Sequence, residues 1–135
     1  MFLRFETYRL DLDSGMPEGL FTQAYALFDS DHLPESQRLA IDEHLSWFRK
    51  NLPIPDRFSR KRNSSHKKAH GIAWFKDTAV HPLARMRELA RLVEDLGYSV
   101  RVVRTSRPGY IVYEDEYQVI AEPFHGERRP RTRPG

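Results

Sequence analysis

The stretch from Arg57 to His70 reads R-F-S-R-K-R-N-S-S-H-K-K-A-H, and its side chains are suited to chemistry with an anion. It holds six cations (Arg57, Arg60, Lys61, Arg62, Lys67 and Lys68), the imidazoles of His66 and His70, and no carboxylate. Like charges at this density, mixed with Ser and Asn, repel one another and resist burial. The segment is therefore expected to be a solvated loop of the kind that meets polyanions. Phosphate contacts release counterions, so affinity gained this way falls steeply with salt. Phe58 lies inside the run, and Trp74 and Phe75 follow it. Aromatic faces beside a cationic groove are what single-stranded bases stack on. Arg128, Arg129, Arg131 and Arg133 near the C-terminus could add phosphate contacts. The plainer alternative is that the loop folds back on the chain, because the 56 residues before it carry 5 basic and 10 acidic side chains.

The histidines and acids offer other chemistry. His66 and His70 have the i, i+4 spacing that brings two imidazoles together on a helix, and Asp77 and His81 follow. Six cationic neighbours oppose a divalent ion, so no metal site is expected there. Without a metal, either histidine could work with Lys67 or Lys68 as general acid and base on RNA, which would make the protein a small nuclease. Asp11-Leu12-Asp13 follows an apolar strand, as paired aspartates do in phosphoryl-transfer enzymes of the haloacid dehalogenase type. Gly15 departs from that pattern, and the chain is short for that fold. Asp29-Ser30-Asp31-His32 could gather a cation, but Asp and Ser before a helix are ordinary caps. Glu114-Asp115-Glu116 could hold Mg²⁺ with a further ligand, or be a charged hairpin turn, the reading preferred here. The chain contains no P-loop, G-x-G-x-x-G or G-x-S-x-G motif. No catalytic residue, cofactor or metal is assigned, and an enzyme is the less favoured reading. Without cysteine there is no disulfide framework or thiolate site.

The elements that must position these residues follow from periodicity. Leu3, Phe5 and Thr7 alternate with Arg4, Glu6 and Tyr8, which predicts a strand over 2–10. The turn-rich 11–19 should end it. An apolar stripe through Leu20, Ala24 and Leu27 predicts a helix over 18–29. Pro34 opens a second helix whose buried face is expected to be Leu39, Ile41, Leu45, Phe48 and Leu52, stopped by Pro53 and Pro55. After the loop, 71–76 reads as a buried strand. Pro82 opens a third helix, closed by Gly97 as a left-handed cap. Strands are expected at 98–105, 110–113 and 117–121.

That order, β-α-α-β-α-β-β-β, predicts an α+β fold: a two-layer sandwich of three helices on a mixed sheet of four or five strands. Strands 71–76 and 98–105 are separated by a helix and should run parallel, and the last three strands should form a meander. Residues 1–124 are expected to form a single domain with the basic loop at 56–70, and 125–135 a disordered Arg/Pro tail. Neither a signal peptide nor a membrane-length apolar run is visible, so a cytoplasmic protein with no membrane partner is expected. Both faces of the last strands are partly apolar, which leaves a protein partner or a homodimer open.

The opening M-F-L-R-F-E-T-x-R, the P-E-G-L-F at 17–21 and the Y-E-D-E-Y-Q-V at 113–119 resemble a group of short bacterial proteins over most of residues 1–124. The resemblance implies a bacterial or phage origin and brings no activity or site residue with it. The resulting expectation is an accessory protein that binds nucleic acid or a nucleoprotein complex through Arg57, Arg60, Lys61, Arg62, His66, Lys67, Lys68 and His70. The alternative is a protein-docking module: an inhibitor, adaptor or immunity-type partner.

Overall fold

A computed structural model describes residues 1–10, 17–52 and 71–124. The fold is α+β, with strands β1 (Phe2–Leu10), β2 (Pro17–Gly19), β3 (Ile72–Lys76), β4 (Val100–Thr105), β5 (Tyr110–Glu114) and β6 (Gln118–Glu122). Its helices are α1 (Leu20–Phe28), α2 (Glu35–Asn51) and α3 (Val80–Asp95). Each element expected from periodicity is present to within about two residues. β2 is additional, in the stretch read only as a turn.

β1 is the axis of the sheet. Phe2 is opposite Lys76 on one edge and Thr105 on the other, so β3 and β4 flank β1. β3 and β4 do point the same way, as the intervening helix requires, but they do not touch. β1 lies between them, and every neighbouring pair in the sheet is antiparallel. The order is β4-β1-β3-β6-β5, with β2 sharing the β3 edge of β1 further along.

The expected meander is likewise only half present. β5 and β6 form a hairpin, but β4 and β5 lie at opposite edges, joined by residues 106–109. Four strand spacings in a flat sheet would separate those edges by about 19 Å. Five chain steps reach at most about 18 Å, and this link must also travel from one end of the strands to the other. Only a strongly coiled sheet can satisfy it. Gly109 fits this link: its φ is +137°, and a Cβ there would lie 2.2 Å from the Glu122 carbonyl oxygen.

Coiling gives both faces a core. Leu3, Phe5 and Phe75 meet Leu20, Leu27, Ile41, Leu45, Leu83, Leu89 and Val93 from the helices. On the other face Phe2, Ile72, Trp74, Val103, Val119 and Ala121 pack on one another. Trp74 and Phe75 point to opposite faces by alternation, and both are buried.

α2 has Glu35 in its first turn and Arg49 and Lys50 in its last, matching the helix dipole. Its buried stripe is Ile41, His44, Leu45 and Phe48. Leu39, expected in that stripe, is 58% exposed because it lies two residues, more than half a turn, before Ile41. α3 ends in the Gly97 cap that the sequence requires. The Gly97 N–H donates to the Glu94 carbonyl at 2.9 Å and the Tyr98 N–H to that of Val93 at 3.3 Å, with Gly97 at φ +100°.

Candidate functional site

The two ends of the sheet differ in charge and in chain traffic. At one end β1 leaves toward residues 11–16, β3 enters from the cationic stretch through Gly71, and β6 leaves through Phe124 toward the Arg-rich terminus. Ile72 and Ala121 are register partners. The points where the two cationic segments join the sheet are therefore neighbours on paired strands. These two segments, 53–70 and 125–135, hold 10 of the 22 Lys and Arg residues. The described residues carry 12 cationic against 15 acidic side chains.

Near this end β1 exchanges one neighbour for another. Leu3 is opposite Phe75 on β3, whereas Glu6 is opposite Gly19 on β2. Arg4 fills the fork, donating to the carbonyl oxygens of Ala73 and Pro17, each at 3.3 Å. Gly19 leaves the space it needs, since a Cβ there would lie 3.3 Å from the guanidinium. Arg4 Nε also donates to Glu6 Oε2 at 3.0 Å, while Arg101 donates to Glu6 Oε1 at 3.2 Å and 3.3 Å. Glu6 is only 3% exposed, so this carboxylate persists in a buried position because each oxygen has its own guanidinium. Glu6 thus bridges the two guanidinium groups. Arg101 also stacks on Tyr8, 5.4 Å from the ring centroid. At the same end Arg107 lies 4.9 Å over Phe124, whose ring meets Tyr110 edge-on at 4.7 Å.

The opposite end is acidic and occupied with itself. Asp115 Oδ1 accepts the N–H groups of Tyr117 at 2.8 Å and Gln118 at 3.1 Å. Its Oδ2 accepts from the Tyr113 hydroxyl at 2.9 Å and Gln118 Nε2 at 3.1 Å. Partial burial pushes this carboxyl up, but the donors, led by the Tyr117 N–H, outweigh it and hold the pKa below the ordinary carboxylate value. Glu114 pairs with Lys76 at 2.6 Å and Asp77 with the N-terminal amine at 3.4 Å. Glu114-Asp115-Glu116 is thus a hairpin turn organised by Asp115. The Asp29–His32 turn is organised from outside. Arg38 donates to the carbonyl oxygens of Phe28, Ser30 at 2.8 Å and Leu33 at 3.2 Å, so a guanidinium lies on the carbonyls of this turn.

A polar pair joins the helices. His44 on α2 has Nδ1 3.3 Å from Arg85 and Nε2 3.6 Å from Glu88, both on α3. A guanidinium only donates, so Nδ1 accepts and Nε2 carries the proton toward the carboxylate. Burial and Arg85 lower the His44 pKa, against a smaller upward pull from Glu88 and Glu43. Arg85 also stacks on Trp47 at 5.1 Å. The group braces two helices, and its polar atoms point at one another.

Of the residues chosen from the sequence, Arg57, Arg60, Lys61, Arg62, His66, Lys67, Lys68 and His70 lie outside the described residues. So do Asp11, Asp13, the expected loop at 56–70 and the Arg/Pro tail. Asp77 and His81 are exposed at the entrance to α3, and Asp77 is engaged by the N-terminus. Among the described residues, no group of three or more His, Cys, Asp or Glu could hold a metal ion, and no helix is long and apolar enough to cross a membrane. The Glu6 cluster went unnoticed because its partners are 95 residues apart. The available signal was Arg4 and Glu6 on one face of a strand. No family model, curated protein or solved structure matches the chain.

Proposed function

We propose that this chain is a non-enzymatic accessory protein that binds nucleic acid, or a nucleoprotein complex, through Arg57, Arg60, Lys61, Arg62, His66, Lys67, Lys68 and His70, assisted by the Arg residues at 128–133. The supporting observation is that both cationic segments join the sheet at adjacent strands, beside Ile72 and Ala121, at the end away from the acidic hairpin. Two short polycations tethered side by side act on one polyanion as a bivalent ligand, which raises their joint affinity. The test is fluorescence anisotropy with labelled single- and double-stranded DNA and RNA at two salt concentrations. Binding at low salt should weaken steeply at high salt, and reversal of Arg60, Lys61 and Arg62 to Glu should abolish it. A protein that leaves every oligonucleotide unbound at low salt would end the proposal.

A second reading rests on β5, which among the described residues pairs only with β6 and exposes Tyr110 and Ile111. Of the β5 residues only Glu114, at its far end, is charged, and an edge with exposed apolar side chains can dock another strand. On this reading the partner is a protein, and its capture survives high salt.

A further inference from the structure

We infer that the outer edge of β5 pairs with β5 of a second copy of this chain, antiparallel and about a two-fold axis. This rests on the second reading above and names its occupant. Tyr110 is 56% exposed and Ile111 is 46% exposed. Neighbouring side chains of a strand point to opposite faces, so exposure of both marks an open edge rather than one uncovered face.

The register makes this edge complementary to itself. Tyr110 is opposite Glu122 and Tyr113 is opposite Ile120. Those two β6 residues are two apart, so both tyrosines lie on one face. The register shift between Ile111 and Tyr113 allows this for residues three apart. A two-fold axis between Ile111 and Val112 then sets Tyr110 against Tyr113 of the second copy, and Ile111 against Val112 of the second copy, each pair twice. Aromatic and β-branched cross-strand pairs stabilise antiparallel strands. The two Glu114 carboxylates fall at opposite ends of the pairing, and each is held by Lys76 of its own copy at 2.6 Å. No like charges are opposed.

The other edge of the sheet gives the opposite answer. Among the described residues β4 pairs only with β1, and its sequence is V-R-V-V-R-T. The same symmetric pairing, centred on β4, would set Arg101 against Arg104 twice, and like charges directly opposite are destabilising. These arginines guard β4 against a second copy, whereas β5 has no such guard. Pairing of β5 with itself uses the same edge in both copies, so the assembly closes as a dimer. One pair of five-residue strands is small beside a standard interface, so the dimer is weak and forms with rising concentration.

The experiment is sedimentation velocity on the full chain over about a hundredfold range of concentration, with hydrogen exchange of the β5 amides at both limits. Wild type should pass from monomer to dimer, and β5 amides that exchange freely in the monomer should become protected. In Ile111→Lys/Val112→Lys each new cation lies opposite another, which should raise the dimer Kd about 10-fold or more. Ile111→Val should dimerise as wild type does, and Val102→Lys, on the other edge, should leave the Kd unchanged. Circular dichroism establishes that each variant is folded. A chain that stays monomeric with freely exchanging β5 amides, or a dimer that the double variant leaves intact, would overturn this inference and leave β5 open to a foreign strand. Amides of β5 fully protected in the monomer would show a covered edge and remove the second reading as well.

Discussion

The two ends of this sheet spend their polar groups differently. At the hairpin end Asp115 takes four hydrogen bonds from its own turn, Glu114 holds Lys76, and Asp77 holds the N-terminus. At the other end Glu6 is saturated, but the arginine and aromatic side chains around it reach solvent. A polar cluster whose donors and acceptors answer each other stabilises a fold and has little left for a ligand. One whose Arg101, Tyr8 and Tyr110 side chains are open to solvent still has capacity. Surface charge alone would not separate these cases, since both ends are rich in ionised groups.

Substitution of Glu6 would break the comparison most severely. Glu6→Gln leaves Arg4 and Arg101 facing each other without the anion between them. It should cost about 3 kcal/mol, read as a lower midpoint in urea unfolding with an unchanged slope. A loss below about 0.5 kcal/mol would mean that the two guanidinium groups find other partners. At the opposite end, Asp115→Ala should cost about 2 kcal/mol and leave oligonucleotide affinity untouched. Its pKa is depressed in the folded state, so its contribution is complete above the unfolded value of about 3.9 and disappears as pH falls through the folded value. The wild-type protein should therefore lose more stability than Asp115→Ala on acidification below about pH 4.

The helical layer belongs to neither end and supplies the smallest effect. His44 also has a lowered folded pKa, but for a base this means that the unfolded chain takes up the proton first. Stability should be level above about pH 6.5 and decline gently as pH falls from there to the folded pKa. In His44→Gln that slope should flatten, measured as thermal midpoint against pH in low-carbonate buffer. An unchanged slope would place the titrating group elsewhere.

Local order was legible where short-range physics decides it. The Leu3–Phe5–Thr7 alternation, Pro34 and Pro82 at helix entrances and Gly97 at a helix exit each name one conformation. β2 was not legible, because Pro17-Glu18-Gly19 are turn formers, and only pairing with Glu6 and Leu10 of β1 makes them a strand. The strand order was hidden for a similar reason. A strand–helix–strand unit shows that β3 and β4 run the same way, but nothing within it reveals the N-terminal strand inserted between them. Leu39 was misplaced by hydrophobicity alone; helical phase put His44 in the stripe instead. The cationic stretch was legible as charge. The rings and arginines near its point of attachment were not, since Arg101 and Tyr8 are distant in sequence.

The insertion of β1 between two later strands has a consequence during synthesis. Phe2 must find both Lys76 and Thr105, so β1 emerges from the ribosome well before either of these long-range neighbours. Assembly of the sheet must therefore wait for β4 and be slower than in a helical protein of equal length, because large loops close before the central strand is satisfied. Until then the edges of β1 that will meet β3 and β4, with Leu3 and Phe5 on one face, are available to chaperones.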